Sequence, residues 1–243
     1  MSLRDPILVV GGTAEGREIT AHLRDNSYIV QVSKAGMTET SKDADVVGGF
    51  GGVDGLCKFI SAQDIHTVID ATHPFATTIS KNVAMACQIK QTPLIRIDRP
   101  AWQASPGDNW IMIKSVHEAA DWMCHNPPHR VLVTLGARHA PHFEYMASHV
   151  IFRTVDPLPQ AGKMINVVGV GPFDLEKERL LFQKYGISAL ICKNSGGPWS
   201  AAKLTIARER KIPVVMLERP RQSLDYGTPT SLARAIRLFG RKI

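Results

Sequence analysis

The chain has 243 residues, 44% hydrophobic and 21% charged, with 29 Lys and Arg against 22 Asp and Glu for a net charge of +7. That length and composition exclude a disordered chain and leave room for one large domain or two small ones, each with a core. No run reaches the roughly 18 apolar residues of a membrane span, so no membrane partner is expected.

The amino terminus, Met1 to Pro6, runs directly into a strand, which predicts no signal peptide. Cys57, Cys87, Cys124 and Cys192 lie far apart with no C-x-x-C pair, the pattern of reduced thiols in a cytoplasmic protein. The positive balance favours an acidic partner. Basic residues are scattered apart from the stretch Lys203–Arg221, and no aromatics interleave with them, so no nucleic-acid partner is expected.

Ile7-Leu8-Val9-Val10 is a wholly apolar strand of the buried parallel kind. It runs into Gly11, Gly12, Thr13, Ala14, Glu15 and Gly16, and a helix follows with Ile19 and Leu23 on one face. Strand, glycine turn and helix amino terminus together make a candidate dinucleotide site over Gly11–Glu15. Thr13 stands where that fingerprint has its second glycine, so an ordinary βα turn remains open.

The next strand, Tyr28–Val32, ends in Ser33 and Lys34, 22 and 23 residues past Gly11. An NAD site places a carboxylate near this position to bond the ribose 2′-hydroxyl. A hydroxyl and a cation instead suit a 2′-phosphate, which predicts NADP; a solvated loop lysine is the alternative. Gly49, Phe50 and Gly51 follow a third strand end at Val46-Val47, with Phe50 a candidate wall for a cofactor ring. The fourth strand is Ile65–Asp70 and the fifth Leu94–Ile97, completing a doubly wound domain over residues 1–98.

The Pro/Gly-rich stretch from Arg99 to Gly107 predicts the domain junction, with a second α/β domain over residues 99–243. Its strands are Val131–Leu135, Val150–Phe152, Ile165–Val168, Ala189–Cys192 and Val214–Leu217. Its helices are Ser115–Cys124, Leu175–Lys184, Ser200–Arg210 and Ser231–Phe239. The expected fold class is α/β, two Rossmann-like doubly wound parallel sheets with an interdomain cleft. Lys193, Asn194, Ser195 and Gly196 close an apolar strand with donors suited to carboxylates, although Asn and Ser could equally cap the next helix. Arg138 and Lys203 are weaker candidates for the same role. His139 and His142 form H-x-x-H, but Pro141 interrupts the segment, so no metal site is expected.

Asp70-Ala71-Thr72-His73-Pro74-Phe75-Ala76 joins the fourth strand to a helix, so its polar groups sit at a strand's carboxyl end. Asp70 there either caps the helix or faces a ligand. This wording resembles the signature of the precorrin-6A reductase family. Gly11-Gly12-Thr13, Gly49-Phe50-Gly51-Gly52, Arg99-Pro100-Ala101-Trp102, Gly171-Pro172-Phe173, Lys193-Asn194-Ser195-Gly196-Gly197 and Arg219-Pro220 extend the resemblance over nearly the whole chain.

The resemblance implies hydride transfer from NADPH to the ring-contracted tetrapyrrole precorrin-6A, or its cobalt counterpart, in cobalamin biosynthesis. It implies Asp70 and His73 as catalytic residues, Thr72 at the cofactor, and Lys193–Gly196 at an anionic tetrapyrrole. A monomer or weak homo-oligomer would suffice. Two alternatives stay open: another NADP-dependent oxidoreductase of an acidic metabolite, and a non-enzymatic NADP-sensing regulator.

Overall fold

The computed structural model describes residues 4–34, 44–159, 162–220 and 229–240. The chain divides into two compact units, one formed by 1–99 with 220–243 and the other by 100–219.

The first unit runs β1 (Arg4–Val10), α1 (Ala14–Asp25), β2 (Tyr28–Lys34), β3 (Val46–Val47), α2 (Val53–Ala62), β4 (Thr67–Asp70), α3 (Thr77–Lys90) and β5 (Leu94–Ile97). Its sheet is parallel, in the order β3-β2-β1-β4-β5 and then a sixth strand from the chain's end. This is the Rossmann order, whose direction reverses between the first and fourth strands. Alternation along the strands supplies both faces. Leu8, Val10 and Val68 pack with Leu56, Ile60, Val83 and Cys87 of α2 and α3. Ile7, Val9 and Ile69 pack with Ile19 and Leu23 of α1.

The second unit runs β6 (Trp110–Ile113), α4 (Val116–His125), β7 (Val131–Thr134), a 3₁₀ segment (Ala137–His149), β8 (Val150–Thr154), β9 (Ile165–Val168), α5 (Leu175–Tyr185), β10 (Ala189–Lys193), α6 (Ala202–Glu209) and β11 (Val214–Leu217). Its sheet is again parallel, ordered β9-β8-β7-β10-β11-β6. The spatial order matches the first sheet, but the sixth place goes to the strand that comes first in sequence. Side-chain caps set the helix starts: Ser115 accepts from the Glu118 N–H and Asp174 from the Lys177 N–H.

The expected second domain over 99–243 is corrected. The chain's end returns to the first unit, where β12 (Pro229–Thr230) pairs with β5 and α7 (Leu232–Leu238) covers the α1 face. Ala235 is fully buried there, and Phe239 meets Tyr28 edge-on at 5.5 Å. A Rossmann sheet of five strands leaves β5 as an unpaired edge; the returning strand covers it. Three elements go beyond the sequence reading, namely β6 just after the junction, the 3₁₀ segment in which Pro141 sits, and β12.

Candidate active site

In the first unit the site begins where β1 and β4 end side by side. Gly11 has φ +127°, and a Cβ on it would lie 2.4 Å from the Ala71 carbonyl oxygen and 2.8 Å from the Thr72 nitrogen. Only glycine permits this approach. Thr13, the departure from the glycine fingerprint, ties the turn down from both sides. Its hydroxyl donates to the Ala71 carbonyl at 2.8 Å and accepts from the Gly16 N–H at 3.0 Å, capping α1. The glycine turn and the positive end of α1 therefore meet the end of β4 at the point of strand-order reversal, where such sheets bind ligands.

Of Ser33 and Lys34, one sends its side chain past this turn. Successive residues of a strand face opposite ways, and the aliphatic stem of Lys34 runs past Gly12, 3.7 Å from where a Cβ would stand. Ser33 is buried, and its carbonyl accepts from the Gly11 N–H at 2.9 Å. Sequence reasoning missed Arg17, one helical turn on, whose Nη1 donates to the Gly12 carbonyl at 3.0 Å. Lysine and arginine thus flank the turn, a pairing suited to phosphate groups.

Glu15, a carboxylate in the first turn of α1, would oppose an anion there. It is paired with Arg99, whose Nη1 lies 2.5 Å from its Oε2. Both line a small crevice with Thr13, Thr72, Pro74, Ile97 and Asp98. The expected ring wall at Phe50 is used otherwise: its ring packs on Phe59 at 5.0 Å between centroids, against the α2–α3 core. Its carbonyl oxygen crowds Gly55, so Gly49 and Gly51 belong to a turn that packs onto α2.

Asp70 is 2% exposed, and its Oδ1 accepts from the Thr72 N–H at 3.0 Å, closing the turn. It stands in register with Arg96 of β5, a buried cation in an otherwise apolar strand. Its charge reaches across the same face. Burial first, then Asp70, then Cys57 push the Cys87 thiol up to about 12. His73 accepts from the Phe75 N–H at Nδ1, at 3.2 Å, which leaves the proton of the neutral ring on Nε2. The Thr72 hydroxyl shares a hydrogen bond with Ser80 at 2.7 Å.

In the second unit the strand order reverses between β7 and β10, and Lys193 ends β10 at that point. Its ammonium donates to the Leu135 carbonyl at 2.5 Å and lies 3.9 Å from where a Gly136 Cβ would stand. Burial, then Arg138, push it down to about 8. His139, beside them, is pushed down to about 4 by burial, then by Lys193, Arg138 and His142. The result is a cationic corner that the neutral His139 does not strengthen. Among the described residues no group of three His, Cys, Asp or Glu could hold a metal ion.

Asn194, Ser195 and Gly196, expected at the substrate, do other work in this structure. The Asn194 amide pairs with the backbone of Trp102, accepting its N–H at 2.8 Å and donating to its carbonyl at 3.1 Å. Arg219 donates to the carbonyls of Asn194 and Ser195, at 2.9 and 2.8 Å. The Trp102 indole donates to the Gly197 carbonyl at 2.9 Å. A Cβ on Gly196 would stand 2.1 Å from the Pro100 carbonyl. Lys203 is buried, donates to the Ser200 carbonyl at 2.8 Å and sits 5.1 Å from the Trp102 ring centroid. The Asn194 amide and the Lys203 ammonium are committed to the backbone, whereas among the substrate candidates Arg138 is exposed and its charge reaches Lys193. Residues 100–102, 194–197 and 219, parts of three separate motifs in the chain, prove to be neighbours.

A Rossmann-ordered sheet with a glycine turn and flanking cations, joined to a second parallel sheet of the same spatial order, defines a two-unit α/β protein of the dinucleotide-binding class. Residues 6–238 match the family described as Precorrin-6x reductase CbiJ/CobK. The chain is 37% identical over 238 residues to a precorrin-6A reductase of Sinorhizobium sp, covering 95% of this chain and 90% of that one. It is 34% identical to that of Rhodococcus erythropolis, with 96% and 97% covered. The solved structure of a CobK precorrin-6A reductase superposes with a TM-score of 0.85 at 30% identity, covering 97% of each chain. The chain belongs to the precorrin-6x reductase family, and is an enzyme, a reductase. Reduction of this kind calls for a nicotinamide cofactor.

Proposed function

We propose that this enzyme uses NADPH, seated at the β1–β4 switch point, to reduce precorrin-6A to precorrin-6B in cobalamin biosynthesis. The observation that carries the cofactor reading is the flanking of the glycine turn by Lys34 and Arg17, with Ser33 and Lys34 rather than a carboxylate as the last residues of β2. When bound, NADPH supplies the hydride. The residues present fit it: Gly11–Glu15 and the α1 amino terminus meet the phosphates, and Lys34 takes the 2′-phosphate. Arg99 neutralises Glu15, so the first turn keeps its affinity for anions.

Asp70 acts as a fixed negative charge that favours the protonated, cationic form of a conjugated imine, the form that accepts hydride. Burial strengthens that effect, because less water screens it. His73 offers the Nε2 proton. Lys193 and Arg138 take substrate carboxylates, in keeping with the names of the relatives, and a net charge of +7 aids capture.

Titration of the protein with NADPH and NADH tests the cofactor reading. The Lys34→Glu variant should lose NADPH affinity by roughly 5- to 150-fold, the 1–3 kcal/mol of a charge-assisted contact, and hold NADH unchanged. Equal wild-type affinity for the two cofactors would remove its basis.

A further inference from the structure

The carboxyl end of the second sheet carries an apolar surface that the reaction chemistry has not yet used. Val168, Val170 and Trp199 are 50%, 52% and 41% exposed. Val168 ends β9, Val170 lies in the turn beyond it, and Trp199 lies in the turn after β10. The two turns are fastened together. The Phe173 N–H donates to the Trp199 carbonyl at 3.2 Å. Gly171 fits between them, because a Cβ there would stand 3.4 Å from the Phe173 ring and 3.5 Å from the Trp199 carbonyl.

Beneath lies a support of unusual cost. The Arg153 guanidinium sits 4.0 Å from the Phe173 ring centroid and pairs with Glu178. Their side chains are 6% and 2% exposed, and Glu178 Oε2 is buried with no partner of its own. Taking two charges out of water is expensive, and an orphaned carboxylate oxygen adds to it. The arrangement holds Phe173, and through it Trp199, in one place. An exposed indole on a turn whose backbone is tied to a buried ion pair through Phe173, at the carboxyl end of the sheet where α/β proteins bind ligands, has the marks of a recognition surface.

We propose that Trp199, with Val170 beside it, is the wall on which the face of the tetrapyrrole rests, making Trp199 a specificity-determining residue. This rests on the substrate reading above. The occupant is set by chemistry: a broad conjugated ring with a carboxylate rim matches an apolar wall on a sheet end that also carries Lys193 and Arg138. Phe173 and Arg153 serve as positioning residues, acting through the Trp199 backbone.

Steady-state rates with precorrin-6A at saturating NADPH test it. Trp199→Ala should raise KM about tenfold, the loss of a good aromatic contact, with NADPH affinity unaltered. Trp199→Phe should recover most of the loss, and Phe173→Leu should raise KM by a smaller factor. Trp199 is exposed, so its variants report on binding rather than folding, and circular dichroism checks this. A folded Trp199→Ala enzyme with wild-type KM overturns the proposal, as does one that changes only the state of association, which would make the wall a contact between copies. Lys193→Ala run in parallel separates the two readings: a raised KM there with none in Trp199→Ala sinks the wall alone, and no change in either sinks the substrate reading with it.

Discussion

Raising the pH from 7 to 9 should weaken substrate capture, and Lys193 is the reason. Burial and the Arg138 guanidinium bring its ammonium from an ordinary 10.5 down to about 8. One unit above its pKa about a tenth of a cation survives, so at pH 9 a carboxylate would meet a neutral amine in most molecules. KM for the tetrapyrrole should therefore rise about tenfold between pH 7 and 9 if one carboxylate depends on this charge. The neighbours that face Lys193 do not blur the window. Arg138 stays charged throughout, and His139, pushed down to about 4, has already lost its proton below pH 6. Folding stability moves the other way. Between about 8 and 10.5 the unfolded chain holds a proton on Lys193 that the folded chain lacks, so stability rises with pH across that range. A loss of binding at pH 9 is then not unfolding through this group. Initial rates followed by the visible band of the macrocycle, with Lys193→Arg as the pH-insensitive control, make the measurement. A flat KM in the wild type, or an equal rise in Lys193→Arg, would refute the reasoning.

Two further expectations concern the first unit. Gly11→Ala should destabilise it by about 3 kcal/mol or more, since the new Cβ meets backbone at 2.4 Å and the φ of +127° is strained for any side chain. Gly12→Ala, facing only the flexible Lys34 stem at 3.7 Å, should cost under about 1 kcal/mol; denaturation midpoints compare the two. Asp70→Asn keeps an acceptor for the Thr72 N–H, so stability should stay within about 1 kcal/mol. Single-turnover hydride transfer should nonetheless fall about 10²-fold, and an undiminished rate would confine Asp70 to the turn.

The fold was legible because its strands are short apolar runs ending in glycine or polar turns, a pattern that Ile7–Val10 and Ala189–Cys192 both display. The glycine turn and Lys34 were legible for the same reason: each is defined by a local spacing. The role of the Lys193–Gly197 turn was not. Asn194 meets Trp102 across 92 residues of chain, and an amide that will pair with a distant backbone reads in sequence like one that will meet a ligand. Arg153, just past the strand read as Val150–Phe152, carried no signal of its role, because neither Glu178 nor Phe173 is near it in sequence. The helix at 231–239 was visible, but nothing in its own pattern says which sheet it covers.

The return of the chain's end to the first unit sets an order of events during synthesis. Chains emerge from the ribosome amino-terminal end first, and domains fold as units. Residues 100–219 form a continuous unit, whereas the unit of the glycine turn needs β12 and α7, which are made after it. Until then the edge of β5 and the face that Ala235 will cover stand open to other chains. The part of the sequence that starts first is thus the last to be finished, and a nascent chain stalled before residue 229 would carry a complete second sheet beside an incomplete first one.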